Sequence, residues 1–283
     1  MPSLHFRFGV RQIEHELAVD MSAMSLRPEF ESRQGRHKPF FCRMTAEKII
    51  KQWWNKSSAW YQQKYKLPVE IHYGPGVPNE DTLKLLGSLR GKKVLELGCG
   101  GGQCSVAFAK KGAQVTGVDI SEEQLKFAKR LATKHKVSIH FIESSFQNLK
   151  GVKPNSQDVV FSAWAFQYSP DLKRVFKKAY QLLKQQGLFV FCVEHPFLQC
   201  VDSTSSKITK SYFKARKLDE GDFVEYQRKM SDLYNPLSAS GFDILEIREP
   251  YSGNRDVWNK DKNFQRSRIS KIPSTIIFKA RKP

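Results

Sequence analysis

The sequence predicts an α/β fold: a doubly wound, mostly parallel seven-stranded sheet with helices on both faces and an antiparallel C-terminal strand. Two observations predict it. From about residue 94 to 193, short apolar strands alternate with segments of helical periodicity, the pattern of a parallel sheet covered on both sides. The first of these strands runs into a cluster of glycines, Gly98, Gly100, Gly101 and Gly102, just before a helix, as in sheets that bind ligands beyond their strand ends. A chain of 283 residues, 40% hydrophobic, can bury a sizeable core.

The elements follow in order. Residues 1–43 mix Arg, His, Glu and Phe without sustained periodicity, and the expectation is a poorly ordered extension, with Met44 available as an alternative start. Residues 44–90 read as leading helices that form a lid. Thr45 can cap a first helix carrying Ile49, Ile50, Trp53, Trp54, Trp60 and Tyr61. The prolines and glycines of residues 67–78 make a loop, and a short helix capped by Asn79 is expected over Glu80–Leu89. Residues 91–283 read as the main domain. Strands are expected at Val94–Leu97, Gln114–Asp119, Val137–Glu143, Asp158–Ala163 and Leu188–Val193. Helices are expected at Gln103–Lys111, Glu122–His135 and Asp171–Lys184. Ser121 and Gln124 have the spacing of a capping box. A polar insertion at about 196–228 precedes a helix at Lys229–Ser240, ended by Gly241. Strands at Phe242–Arg248 and Thr275–Ala280 flank a loop at 251–272.

Bulk properties narrow the function. The formal charge of +19 is compatible with nucleic acid, an anionic surface or an acidic substrate. Lysines such as Lys110, Lys111, Lys126, Lys129, Lys177 and Lys178 recur along the expected helices, as on a solvated face. Only residues 255–283 are locally dense, with nine Lys or Arg against two Asp. This distribution argues against nucleic acid without excluding it. Cys42, Cys99, Cys104, Cys192 and Cys200 form neither a CxxC pair nor a metal pattern. All five are expected to be thiols, no metal is expected, and the odd count suits a cytoplasmic location. No apolar run approaches the roughly 20 residues that cross a bilayer.

The strongest local signal is Val94–Gln103, a strand ending in Gly98-x-Gly100-x-Gly102. Glycines let the backbone turn tightly and let a ligand approach it without Cβ atoms in the way. A structural turn or a dinucleotide site would look similar, but a dinucleotide fingerprint wants its third glycine at 103, which is Gln103. Glu96 lies two residues before Gly98, badly placed for a pyrophosphate and well placed for a cation. Asp119 ends the next strand about 20 residues on, where an acid can hold both ribose hydroxyls. The ligand therefore has a ribose and a positive, phosphate-free group beside it, as S-adenosylmethionine does.

On these residues, about 45–283 resembles the class I, Rossmann-like S-adenosylmethionine-dependent methyltransferases. Val94–Gln103 matches that family's first motif, and Val115–Ser121 its second strand and acid. The aromatic leading helix and Glu194-His195-Pro196-Phe197 resemble an uncharacterised bacterial small-molecule type within it. The resemblance implies that Glu96, Gly98 and Gly100 line the methionine end of the cofactor, with Cys99 and Gly102 also in its binding site, that Asp119 holds the ribose and that Ile120 packs on the adenine. Family members commonly carry an acid after the third strand. Here Ser145 stands in that place, with Phe146 beside it, and Ser162 is the next expected wall.

The acceptor is less legible. Residues leaving the carboxyl edge of the sheet are the candidates. His195 follows the fifth strand and is either a general base or a structural side chain that fixes the turn into Pro196. Trp60, Tyr61, Tyr65, His72 and Tyr73 are candidates for a lid, and Trp164, Phe166 and Tyr168 for the wall after the fourth strand. That strand is followed by no Asp/Asn-Pro-Pro-aromatic run, and no Pro-Cys nucleophile is present. The expectation is a small-molecule acceptor. The alternative is an RNA or protein methyltransferase using the basic surface, and the oligomeric state is left open.

Overall fold

Seven strands form one sheet, in the order His140–Glu143, Gln114–Asp119, Lys93–Leu97, Gln157–Ala163, Leu183–Glu194, Thr275–Arg281, Asp243–Arg248. The computed structural model describes residues 45–149, 151–202, 205, 207–214, 216–219, 223–252 and 271–283. The expected extension at 1–43, Cys42 and most of the loop at 251–272 lie outside them. Two helices precede the sheet, α1 (Ala46–Tyr65) and the four-residue α2 (Glu80–Leu83). Then come β1 (Lys93–Leu97), α3 (Gln103–Lys110), β2 (Gln114–Asp119), α4 (Glu122–Lys134), β3 (His140–Glu143), β4 (Gln157–Ala163), α5 (Leu172–Leu182) and β5 (Leu183–Glu194). A hairpin of β6 (Arg216–Asp219) and β7 (Val224–Gln227) follows, then α6 (Met230–Ser238), β8 (Asp243–Arg248) and β9 (Thr275–Arg281). Strands β1 to β5 pair in parallel, while β9 runs antiparallel to both β5 and β8. The fold is the one the alternating pattern predicts. Strand order reverses between β1 and β4, which opens a crevice beyond their carboxyl ends.

The strands are apolar on both faces because each face meets a different core. Leu95, Leu97, Val160, Phe189 and Phe191 pack under α5 and α6, on Phe176, Leu182, Leu233 and Leu237. Val94, Phe161, Val190 and Cys192 pack on the other face, against Phe108 of α3 and the leading segment's Ile71, Tyr73 and Leu85. Full burial of such a side chain contributes about 1.5–3 kcal/mol.

Several local expectations are corrected. Helix α2 stops at Leu83 because Lys84 turns left-handed (φ 52°). The Glu80 carboxylate then bends back to accept the Leu85 and Leu86 N–H groups at 3.0 and 2.8 Å and the Tyr73 hydroxyl at 2.5 Å. Asn79 does not cap the helix with its side chain but donates to Glu70. Ser121 accepts the Gln124 N–H at 3.2 Å, one half of the capping box. The Gln124 side chain does not return the bond, since it accepts from Gln62 of α1. Strand β3 begins at His140 rather than Val137, and β5 begins at Leu183, inside what the sequence suggests is helix. The insertion is not merely polar. It holds the β6–β7 hairpin and a buried turn at Leu198–Cys200. Cys99, Cys104, Cys192 and Cys200 are buried thiols.

Candidate functional site

The crevice is built on the turn after β1. Gly98 and Cys99 both donate N–H to the Val118 carbonyl, at 2.8 and 2.9 Å. Gly98, Gly100 and Gly102 have φ of 77°, 50° and 82°, where side-chain-bearing residues are strained. A Cβ on Gly98 would collide with that of Ala165. Gly98, Cys99, Gly100 and Gly101 line the cleft. Gly102 does not. It starts α3, and a Cβ there would lie 2.8 Å from that of Ala128 in α4. Its glycine serves helix packing, which corrects the expectation that it lines the cleft.

Two acids face this turn. Asp119 accepts the Gly100 N–H at 2.8 Å through one oxygen and the Ser121 N–H at 2.9 Å through the other. Each oxygen keeps a lone pair for a ligand. Burial pushes its carboxyl up to about 6, against the pull of those amides. Glu96, 2% exposed, accepts the Ser105 hydroxyl. Burial pushes Glu96 up to about 8, opposed by the Ser105 bond and assisted by the charge of Asp119.

Ile120, Ser145 and Phe146 line the next part of the cleft. The Ser145 hydroxyl is buried and has no hydrogen-bond partner, a cost that a polar ligand in the cleft would relieve. Ser162 is not on the wall. It is fully buried, and its hydroxyl donates to the Leu97 carbonyl at 2.8 Å, tying β4 to β1. The wall beyond β4 is made instead by Ala163, Trp164, Ala165 and Tyr168. Trp164 holds a left-handed backbone (φ 53°), costly for a bulky residue and found most often at functional positions. Its indole N–H donates to Thr275 at 3.2 Å.

Helix α1 closes the cleft from above. Glu47, Ile50, Trp54 and Tyr61 present one face to it, together with Gln62. Their spacing of 3, 4 and 7 is helical, and it is the signal that finds this face. Trp60 is about 100° away from Tyr61 around the helix and off the wall, and Tyr65 is buried beneath both, with ring centroids 6.0 and 4.9 Å away. Tyr73 is fully buried in the core against Phe161. Of the expected acceptor side chains, Tyr61, Trp164 and Tyr168 reach the cleft with His72, whereas Trp60, Tyr65 and Tyr73 do not. Glutamines clasp the lid: Gln62 donates to Gln124 at 2.9 Å and accepts from Gln103 at 2.7 Å.

His195 also departs from expectation. It is 7% exposed and absent from the cleft wall. Its Nδ1 accepts the Phe197 N–H at 3.1 Å, so Nε2 carries the proton that faces Glu249 Oε1 at 2.7 Å. Burial lowers its pKa, and the Glu249 bond only partly restores it. Nδ1 is spent on the turn around Pro196 and Nε2 on tying that turn to Glu249 after β8.

Among the described residues, no group of three or more His, Cys, Asp or Glu could hold a metal, and no helix is long and apolar enough to cross a membrane. Residues 95–191 match a family model described as a methyltransferase domain. Over 243 residues the chain is 26% identical to an uncharacterized protein of Haemophilus influenzae, spanning 78% of this chain and 92% of that one. It is 41% identical over 103 residues to a ubiquinone biosynthesis O-methyltransferase of Idiomarina loihiensis, a match that spans 36% of this chain and 42% of the relative. A chain from Listeria monocytogenes assigned as an S-adenosylmethionine-dependent methyltransferase superposes with a TM-score of 0.58 at 26% identity, covering 71% of this chain and 94% of that one. The domain match, the superposed structure and the O-methyltransferase relatives together support a class I S-adenosylmethionine-dependent methyltransferase.

The cofactor of this methyltransferase is S-adenosylmethionine. The cleft fits it: a bare glycine backbone, two buried acids and a partnerless hydroxyl suit a ribose, a cation and a polar ring edge. In the methyltransferase His195 holds a turn, and His195→Ala should lower stability by about 1–3 kcal/mol, because the Phe197 N–H loses its acceptor. S-adenosylhomocysteine affinity should stay within a few-fold. Urea unfolding with calorimetry checks this, and an unchanged unfolding midpoint would contradict it.

Proposed function

We propose that this methyltransferase modifies a small-molecule acceptor held in the aromatic end of the cleft. The observation that carries the reading is the closure of that end by rings. Trp54 lies 5.3 Å from Tyr61 and 5.9 Å from Tyr168, both edge-on, with Trp164 on the same wall. A pocket lined mainly by aromatic side chains with few polar groups suits a small ligand. The match to the ubiquinone O-methyltransferase spans 42% of that relative, so the acceptor is inferred from the cleft.

In this reading Asp119 holds the ribose hydroxyls, Ile120 packs on the adenine, and the Ser145 hydroxyl and Phe146 N–H meet the ring edge. Glu96 faces the ammonium of the methionine moiety beside Gly98, Cys99 and Gly100. The bound cofactor supplies a methyl group on a positively charged sulfur. The chain contributes position: the lid and the Trp164–Tyr168 wall hold the acceptor and keep water out, and alignment alone removes much of the barrier to an in-line displacement.

The direct test supplies methyl-labelled S-adenosylmethionine with a metabolite extract, RNA and protein. Label should enter the small-molecule fraction, and label in RNA or protein instead would overturn the acceptor class. Asp119→Ala should weaken S-adenosylhomocysteine binding by about 1.5–3 kcal/mol through loss of charge-assisted bonds; unchanged affinity in calorimetry would displace the site.

Glu96 sets a pH dependence. Between the ordinary glutamate value of 4.5 and its folded value of about 8, the folded chain keeps a proton that the unfolded chain has lost. Stability without ligand therefore falls as pH rises through that window. Binding runs the other way, because the ligand ammonium favours the ionised carboxylate. S-adenosylhomocysteine should bind more tightly as pH climbs from 7 to 8, above the range where Asp119 titrates, and by at most about tenfold. Glu96→Gln should flatten that slope; a slope that survived in the variant would remove Glu96 from the ammonium.

A further inference from the structure

Beyond Tyr168 lies a buried acid that the cofactor site does not use. Glu225, in β7, is 1% exposed, and its Oε1 has no hydrogen-bond partner. Strand alternation puts it on the same face as Phe223. The Phe223 ring lies 5.6 Å from that of Tyr168 and 4.7 Å from that of Trp53, so this face of β7 looks towards the ring-lined end of the cleft. Tyr168 lines the cleft, and the charge of Glu225 acts on its hydroxyl. Glu194, the last residue of β5, joins the same cluster: its charge acts on both Glu225 and Tyr168, and it accepts from Gln199 at 2.8 Å.

The neighbouring cations do not satisfy Glu225. Arg228 sits over the Tyr226 ring at 5.2 Å and donates to the carbonyls of Phe166, Ser169 and Tyr226. Arg228 and Lys210 partly offset the repulsion between the two acids, but burial and Glu194 outweigh them, so Glu225 holds its proton well above the usual carboxylate range. A buried carboxyl with an idle oxygen costs folding energy and is retained where a ligand completes it. Ring faces in front and acids behind together favour a cation, since a π face attracts positive charge and a carboxylate pairs with it.

We propose that Glu225, with Glu194 beside it, selects the acceptor from behind Tyr168, and that the acceptor carries a basic nitrogen bound as an ammonium ion on the cleft side of that ring. This rests on the small-molecule reading of the cleft and names its substrate class. The ammonium meets the ring face of Tyr168 and draws the acid pair into its ionised form.

The test uses the full chain saturated with S-adenosylhomocysteine and titrated calorimetrically with three probes of one shape: phenethylamine, 2-phenylethanol and phenylacetate. Phenethylamine should bind at least about tenfold more tightly than the other two, the scale of a desolvated cation–π contact with a charge partner. Glu225→Gln should bring the three within about threefold. If that variant does not fold, Glu194→Gln should shrink the preference in the same direction. Phenethylamine binding no tighter than the alcohol or the acid, or giving no heat at all, overturns the proposal, as does a folded variant that keeps the full preference. Binding of S-adenosylhomocysteine is read in its own titration, so failure of the cofactor cleft is distinguishable from failure of amine recognition.

Discussion

Asp119 ties the ends of β1 and β2 together by accepting N–H groups from Gly100 in one turn and Ser121 in the next. Without that carboxylate, two inward-facing amides in a buried corner would lose their acceptor, at about 1–3 kcal/mol each. The turn it braces passes through three left-handed glycines, and Gly98 lies so close to Ala165 that any Cβ would force β1 and the segment after β4 apart. The burial of Glu96 and the start of α3 at Gly102 both depend on that closeness. The cleft is therefore a consequence of backbone geometry first and of side chains second.

The lid is attached differently. Helix α1 reaches the rest of the fold through side-chain bonds, Gln62 to Gln124 and Gln103, Asn55 to Ser121 and Glu122, and Lys51 to Glu143. Net contributions of about 0.5–1.5 kcal/mol per bond, less for the exposed pairs, make this attachment weaker than the parallel ladders beneath it. Aromatic contacts from Trp53 and Trp54 to Phe223 and Tyr168 add a second layer that includes the β7 hairpin. The lid and the hairpin thus share rings at the end of the cleft assigned to the acceptor, away from the glycine turn.

How legible this was in the sequence depends on the range of the interaction. The sheet, its antiparallel last strand and the glycine turn rest on apolar runs and on spacing along the chain, and the sequence displays both. Long-range competition is not displayed. Gln124 has the spacing of a capping box, yet its side chain is drawn to Gln62, 62 residues away. Ser162 leaves β4 in the expected place, but the Leu97 carbonyl claims its hydroxyl. Trp60 is turned about 100° from Tyr61 around α1, while Tyr65 and Tyr73 are taken up by the core, and an aromatic run by itself displays neither outcome. The hairpin was hidden because Phe223, Val224 and Glu225 sit inside a polar stretch, and a single buried acid there reads as solvated until the fold surrounds it.

Charge shows the same divide most sharply. The chain carries a formal net charge of +19, and on composition alone it suggests anionic partners. Exposed lysines, however, are screened by solvent and salt within about 10 Å, while buried acids act in a medium where water does not weaken them. Glu96, Asp119 and Glu225 are all buried, and burial is the largest cause raising each of them. Each is kept at a cost to folding that an apolar residue would avoid, and each lies at or beside the cleft. A ligand that brings positive charge lowers that cost, and one that brings negative charge raises it. Glu96 and Asp119 on the cleft wall, and Glu225 behind Tyr168 on the proposed acceptor side, therefore favour a positively charged ligand, against the partners that the net charge suggests.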